Sequence, residues 1–178
     1  MAIHSLTRDE LLALLGRARA YNEQHWLLLL VTFAHGLRAT EAVNLRKSNF
    51  RDGYLVLQRL KGSNKTVQPL VSHANELLDE DTALTLYIAT LRSNDKLFDI
   101  TRHGFLWLMK KLGAQAGIPA HKCHPHVLKH TTAMLSIKSA GIENVRVYLG
   151  HRSIASTGEY LKVSQADASR AFAAAVEA

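Results

Sequence analysis

The chain has 178 residues and a formal net charge of +7, and this length predicts one domain with a sizeable hydrophobic core. The basic charge favours a polyanionic partner such as nucleic acid, because lysine and arginine release the counterions that phosphates hold. The single cysteine, Cys123, excludes an intramolecular disulfide framework, and the longest apolar run, residues 26–34, is too short to span a bilayer.

The first fifty residues carry signals for helices alone. Thr7 and Glu10 form a capping-box pattern at the start of the first helix, and Gly36 is placed to end the second, strongly apolar one. Thr40 is placed to cap a short third helix. The three predicted helices cover residues 8–20, 23–34 and 41–46. Since a helix cap and no signal peptide stands at the start, we expect a cytoplasmic protein that does not associate with a membrane.

The periodicity changes to two after residue 50 and then returns to that of helices. Strands are predicted over 54–57 and 66–70, around a turn at 61–65. Further helices are predicted near 75–78, 82–91, 102–116, 125–139 and 142–148, before Tyr160, and over 165–176. Helices that enclose one small antiparallel β-sheet predict an α+β fold, predominantly helical, with residues 1–178 as a single domain.

The first segment with chemical content is His35-Gly36-Leu37-Arg38-Ala39-Thr40-Glu41. Arg38 stands just before a predicted helix N-terminus, where unpaired backbone N–H groups already favour an anion. Its planar guanidinium can grip two phosphate oxygens at once. Glu41 can accept hydrogen bonds from that guanidinium and orient it, or it is only a favourable acid in the first turn.

The second segment is His124-Pro125-His126-Val127-Leu128-Lys129-His130. Pro125 suits a first helical turn, so His126 is expected near a helix N-terminus. His126, Lys129 and His130 share one helix face at i, i+3 and i+4. One helix therefore presents three potentially cationic groups to the same point.

The third segment runs from Leu149-Gly150-His151 to Tyr160, which stands nine residues after the histidine. His151 follows a glycine that is placed to end a helix, and it can donate to a phosphate oxygen. A phenol with a pKa near ~10 is a poor nucleophile at neutral pH. Tyr160 would therefore need adjacent cations and a proton acceptor such as His126.

In this order, the three segments resemble the active-site motifs of tyrosine recombinases, the phage integrase family. The resemblance implies that Tyr160 attacks a DNA phosphate and forms a 3′-phosphotyrosine, and that Arg38, Lys129, His126 and His151 stabilise the charge on phosphorus. By the same resemblance, Glu41 and His130 support the site. Lys61 in the hairpin would protonate the departing 5′-oxygen, with Lys65 as the alternative donor, and neither a cofactor nor a metal is implied.

The resemblance also implies partners. Double-stranded DNA is the expected substrate, bound by a homotetramer in which neighbouring protomers exchange their carboxy-terminal segments, while the free protein is expected to be a monomer. The apolar set of that segment comprises Ala166, Ala168, Phe172, Ala173 and Val176. Family members usually carry an amino-terminal core-binding domain as well, so the chain is expected to correspond to the catalytic half without that domain, either as an excised domain or as a naturally short protein.

Lys129 departs from the family pattern, which has an arginine at this position. Lysine keeps the charge but loses the two-pronged grip on phosphate oxygens. Loss of one charge-assisted hydrogen bond at a transition state costs ~3 kcal/mol, or about 10²–10³ in rate. An alternative hypothesis is therefore a recombinase-fold protein that binds DNA with weak or no catalysis.

Two other kinds of site are weaker interpretations. A cluster of potential metal ligands comprises His121, Cys123, His124, His126 and His130. Structural zinc usually takes paired ligands from two separated segments, and no glutamate stands between His126 and His130 in a His-Glu-x-x-His arrangement. A hydrolase triad is weaker still, because the sequence has no Gly-x-Ser-x-Gly turn for a nucleophile.

Overall fold

The computed structural model describes residues 4–60, 62–158 and 160. Within these residues, the helices account for most of the regular structure. They are α1 (Arg8–Tyr21), α2 (Glu23–Ala34), α3 (Ala39–Val43), α4 (Glu80–Ala89), α5 (Arg102–Gln115), α6 (His126–Ala140), α7 (Ile142–Tyr148) and α8 (Ala155–Gly158). Single 3₁₀ turns, Lys47–Asn49 and Ala120–Lys122, join some of these elements. No described helix has the length and apolar character that crossing a membrane requires.

A small antiparallel sheet stands between α3 and α4. Its strands are β1 (Phe50–Arg51), β2 (Tyr54–Gln58) and β3 (Lys65–Pro69), in the spatial order β1-β2-β3. Val56 lies opposite Val67 in the β2–β3 register. On β3 the usual alternation is inverted, because the polar Thr66 and Gln68 are buried while Val67 is exposed. This strand therefore turns hydrogen-bonding groups toward the interior.

The hydrophobic core is built around α2. Its residues 26–32 are all buried, so this part of the helix is enclosed on every side, as its apolar run predicts. It packs against α1, α4 and α6, and Leu11, Leu14 and Leu15 of α1 complete the same core. The core therefore holds the C-terminus of α2 in place, and the following loop and α3 start from there.

Most predicted elements are confirmed within a few residues, including the capping box of Thr7 and Glu10. The third helix is a correction. It begins at Ala39 with Arg38 as its N-cap, and it ends at Val43, before the predicted limit. Thr40 does not cap it, because Thr40 is already the second residue of the helix, and at this end the Glu41 carboxylate accepts the Arg38 backbone N–H at 2.8 Å.

The predicted helix near 75–78 is also wrong, since these residues form bends and turns. The Asn75 side chain accepts the Leu77 N–H at 2.9 Å, and His73 Nδ1 accepts the Asn75 N–H at 2.8 Å. Such local side-chain hydrogen bonds compete with helix formation, and the next helix starts only at Glu80. The helix predicted over 165–176 lies outside the described residues.

Candidate active site

The three sequence segments meet at one cleft of about 330 Å³. It lies between the loop before α3, the β2–β3 hairpin, the start of α6 and the loop around α8. The lining residues are Arg38, Gly62, Ser63, His126, Lys129, His130, His151, Arg152, Ser153, Ser156 and Tyr160. The fold therefore gathers side chains that are more than a hundred positions apart in the sequence.

Arg38 is held by three neighbours. Its Nη1 donates to Glu41 Oε1 at 3.0 Å and to the Leu60 carbonyl at 3.1 Å, while Nη2 donates to Ser63 Oγ at 3.1 Å. These bonds join the N-terminus of α3 to the hairpin. The guanidinium is thus fixed in orientation at the edge of the cleft, as a phosphate-binding group needs to be.

Glu41 is buried (4% exposed) and its carboxylate is saturated with donors. Oε2 accepts from the Arg38 N–H and from Arg59 Nη1, while Oε1 accepts from Arg38 Nη1 and the Leu60 N–H. Burial raises the pKa of Glu41, but the two backbone hydrogen bonds and the charges of Arg59 and Arg38 outweigh it, and the pKa lies below its usual value. Glu41 is therefore an anionic anchor.

Arg59 is the residue of this network that the sequence analysis missed. It is buried (3% exposed), and its guanidinium donates to Thr66 Oγ1, Gln68 Oε1, Glu41 Oε2 and the carbonyls of His35 and Gly36. The sequence did carry a signal. Residues 55, 57 and 59 point to the same side of an extended strand, so a charge continues the inward-facing set of β2.

Lys129 lies on the floor of the cleft and is buried (6% exposed). Its Nζ has no hydrogen-bond partner among the residues that the structure describes. Burial, with the charges of Arg38 and Arg59, lowers the pKa of Lys129 to about 8, although Glu41 acts in the opposite direction. The ammonium is thus placed where an incoming anion would be its partner.

His151 is buried (7% exposed), and its Nδ1 lies 3.0 Å from Thr157 Oγ1. Burial, followed by the charges of Lys129 and Arg38, lowers its pKa to about 4. At neutral pH the imidazole is therefore uncharged, and it can donate one N–H to an oxygen in the cleft.

The backbone before His151 fits tightly against the hairpin. Gly150 has a φ of +69°, and a Cβ there would lie 3.0 Å from the Asn64 carbonyl oxygen and 3.1 Å from Arg59 Cγ. Asn64 N–H donates to the Gly150 carbonyl at 2.9 Å. A glycine is required here both for the positive φ and for this close approach.

Tyr160 is buried (8% exposed) but lines the cleft, and its hydroxyl lies 2.9 Å from His130 Nδ1. Burial, with the nearby His126 and His124, lowers the pKa of His130 to about 4. A neutral His130 with its proton on Nε2 accepts the phenol proton at Nδ1. The ring of Tyr160 packs on Ala133, Val145 and Leu149.

The other predicted site residues differ in whether the structure places them at the cleft. His126 is exposed at the start of α6 and lines the cleft. Lys65 is exposed at the start of β3 and lines a different cavity, with Asn144 and Tyr148, so the structure does not bring it to the cleft. Lys61 lies outside the described residues. In the described part of the chain, no three His, Cys, Asp or Glu side chains form a group that could hold a metal.

Residues 4–167 match the sequence model of the phage integrase family. The chain belongs to this family. The tyrosine recombinase XerA of Thermococcus onnurineus is 29% identical over 171 residues, which cover 90% of this chain and 58% of XerA. A crystal structure of XerA recombinase has a TM-score of 0.74 at 25% identity, over 97% of this chain and 65% of that one. The resemblance predicted from the three motifs is confirmed.

XerH recombinase bound to its difH substrate shares the fold at a TM-score of 0.72 and 19% identity, over 96% of this chain and 53% of that one. The predicted α+β, predominantly helical class with a small antiparallel sheet is the fold of these phage integrase family members. This chain spans little more than half the length of XerA.

Proposed function

We propose that this chain is the catalytic domain of a site-specific tyrosine recombinase, which cleaves and rejoins double-stranded DNA through a 3′-phosphotyrosine. One observation carries the proposal: Arg38, His126, Lys129 and His151 surround a cleft that Tyr160 also lines. Family membership and the DNA-bound XerH relative support DNA as the substrate. A polyanionic substrate is favoured because Arg38, Lys129 and Arg152 line the cleft.

The proposed reaction begins when the Tyr160 oxygen attacks the scissile phosphorus. The phenol proton passes to His130 Nδ1 or His126, a bond forms between Tyr160 and phosphorus, and the bond from phosphorus to the 5′-oxygen breaks. The departing oxygen takes a proton, from Lys61 in the family pattern, and leaves as a 5′-hydroxyl. The hydroxyl of a partner strand then reverses these steps at a new junction, so covalent catalysis divides strand exchange into two transfers.

Each cationic or donor group has a distinct task in this mechanism. Arg38 grips two non-bridging oxygens from an orientation that Glu41 and the hairpin fix. Neutral His151 donates one hydrogen bond, and Lys129 supplies a charge from below. Preorganised donors stabilise the charge that develops on phosphorus, and one such donor is worth about 10²–10³ in rate.

The test is a search for a covalent adduct without assuming a target sequence. A pool of nicked duplexes with randomised sequence is incubated with the protein, and DNA that stays attached in SDS is recovered and sequenced. We expect an adduct with an enriched sequence that disappears in Tyr160→Phe. An adduct that persists in Tyr160→Phe contradicts the assigned nucleophile.

Retardation of DNA without any adduct favours the alternative function, a DNA-binding protein with weak or no catalysis. Tyr160→Phe is the matched control for this outcome, because it removes only the hydroxyl. If the wild-type protein and this variant retard the pool equally and neither forms an adduct, catalysis is excluded and binding is retained.

We also infer that four copies assemble on synapsed DNA and exchange carboxy-terminal segments, while the free protein is a monomer. An apolar groove of about 410 Å³ supports this, and it is lined by Leu30 and Phe33 of α2, Val145 of α7 and Leu149 at the end of α7. Phe172 belongs to the apolar set of the segment that would fill the groove of a neighbour. Action on chromosomal DNA would place the protein in the cytoplasm of a bacterial or phage-infected cell, associated with the nucleoid.

Phe172→Asp tests the exchange, with Tyr160→Phe added to both proteins so that bound complexes accumulate without cleavage. We expect the Phe172→Asp protein to bind single DNA sites and to lose the slower-moving complexes of several copies. Assembly equal to that of the parent removes segment exchange from the proposal.

A further inference from the structure

Lys129 differs from the other two buried or cleft-lining cations next to it. Arg38 and Arg59 both donate several hydrogen bonds to acceptors around them. The Lys129 ammonium is nearly as buried as Arg59, but it has no hydrogen-bond partner among the residues that the structure describes. A buried polar group without a partner is costly, and a buried charge more so.

The nearby carboxylate cannot supply the missing acceptor. A carboxylate offers about four acceptor positions, and both oxygens of Glu41 already accept two donors each, from Arg38, Arg59 and Leu60. Glu41 moderates the repulsion between Lys129 and the two arginines without bonding to the ammonium. The site around Lys129 therefore holds excess positive charge and an unused donor, on a side chain that lines the cleft.

We propose that Lys129 makes the capture of a phosphate group by this cleft depend on one proton, because the entering anion is the acceptor that its ammonium lacks. This inference rests on the proposed function and adds a regulation that the family's usual arginine cannot provide. Arginine stays charged at every relevant pH, whereas a buried lysine can lose its proton.

The pH window follows from the direction of the shift. In the empty cleft, burial and the arginines lower the pKa of Lys129 to about 8. The side chain is charged below that pH and neutral above it. A bound anion favours the charged form and raises the pKa, so above about pH 8 binding must take up one proton from solvent. Affinity for the anion then falls by up to about tenfold for each further pH unit.

Other groups that face Lys129 do not produce this alkaline dependence. Two arginines lie near Lys129, Arg38 at the N-cap of α3 and Arg59 after β2, and a guanidinium group does not lose its proton in proteins. Glu41 on α3 has a lowered pKa and is ionised in this range. His130, on the same helix, and His151, after α7, have pKa values lowered to about 4, so both are already neutral. His126 stands one turn earlier on α6 and lines the same cleft.

The experiment uses sulfate as the probe, because it is a tetrahedral anion that does not titrate between pH 7 and 10. The Lys129 side chain is followed by NMR at its Cε, with the resonance assigned through its loss in Lys129→Arg. We expect a titration midpoint near pH 8 without sulfate, and a midpoint at least one pH unit higher at saturating sulfate. A midpoint near the ordinary lysine value of ~10.4, or one that sulfate leaves in place, overturns the proposal.

Affinity measurements give a second readout that does not depend on the assignment. From pH 7.5 to 9.5, sulfate affinity should fall at least tenfold for the wild-type protein and less than twofold for Lys129→Arg. Lys129→Met should bind weakly at every pH while remaining folded by circular dichroism. An equal decline in wild type and Lys129→Arg contradicts the proposal. Neither readout involves strand cleavage, so their failure leaves the proposed recombinase function untouched, and a missing adduct leaves them untouched.

Discussion

The two sides of the cleft are built differently. On the side of α3 and the hairpin, Arg38, Glu41 and Arg59 bond to one another and to backbone groups until almost every donor and acceptor is used. On the side of α6, the Lys129 ammonium has no hydrogen-bond partner among the described residues, and the Tyr160 hydroxyl lies 2.9 Å from His130 Nδ1.

This difference in hydrogen bonding indicates different roles, with one side of the cleft preorganised and the other side reactive. Under the proposed function, the saturated network fixes the position of Arg38 before DNA binds, which would lower the cost of reorganisation at the transition state. In the proposed reaction the opposite side must change partners, because the Tyr160 phenol would lose a proton and the Lys129 ammonium would meet an anion. The Lys129 ammonium has no hydrogen-bond partner among the described residues that it would first have to give up.

The largest expected effect is a loss of stability from a substitution on the side of α3 and the hairpin. Glu41→Gln removes the anion that neutralises Arg59 and leaves a buried charge without its counter-ion. Removing one partner of a buried ion pair costs about 3–5 kcal/mol in the free energy of unfolding. Urea denaturation measures the loss, and Glu143→Gln, which breaks a pair on the surface, serves as the control with no measurable change expected.

A double variant sharpens that test. Glu41→Gln combined with Arg59→Met removes both buried charges, so it should be more stable than Glu41→Gln alone. If the double variant is instead less stable by the sum of the two single losses, Arg59 stabilises the fold mainly through its other hydrogen bonds. The carbonyls of His35 and Gly36 and the side chain of Gln68 would then be the important partners.

The second largest expected effect comes from a substitution on the α6 side of the cleft. Lys129→Arg restores the planar, two-pronged donor of the family pattern, so we expect the rate of adduct formation with nicked DNA to rise by about 10²-fold at pH 7.5. Single-turnover assays measure it. Lys122→Arg is the matched control, because Lys122 pairs with Glu10 outside the cleft. An unchanged or lower rate in Lys129→Arg means that the cleft has adapted its shape to lysine.

The sequence predicted the α6 side of the cleft better than the side of α3 and the hairpin. His126, Lys129 and His130 could be placed on one face because helical spacing is regular, and Tyr160 was singled out by the resemblance of the three segments to the phage integrase family. Arg59 was missed because its partners come from β3 and from the end of α2, which only the folded chain brings near. Local periodicity predicts which face a residue occupies, but it does not predict which distant groups share that face.

His35 and Glu80 are another two interior residues that only the folded chain brings together. His35 Nε2 lies 2.9 Å from Glu80 Oε1, and both side chains are fully buried where α2 ends and α4 begins. The sequence analysis expected a helix near 75–78 and assigned His35 no contact. The true start of α4 depends on turns around Asn75 and on this tertiary contact, neither of which leaves a hydrophobic period in the sequence.

The smallest expected effect concerns how the free energy of unfolding depends on pH through two histidines of the cleft. His151 and His130 have folded-state pKa values near 4, below the ordinary value of 6.5, so the unfolded chain binds protons first as the pH falls. Their contribution to stability is complete above pH 6.5 and is lost between about 6.5 and 4, by up to ~1.4 kcal/mol per pH unit for each histidine. Burial also lowers the pKa values of His25 and His124, which adds to the slope.

The variant His151→Gln isolates one histidine from the others. Urea denaturation at pH 7 and pH 5 should show a smaller loss of stability in this variant than in the wild-type protein, by about 1–2 kcal/mol. Glu41 does not interfere, because its lowered pKa keeps it ionised throughout this range. Equal losses in both proteins would mean that His151 opens to solvent in the folded state, and the loop that carries it would then belong with the adaptable side of the cleft.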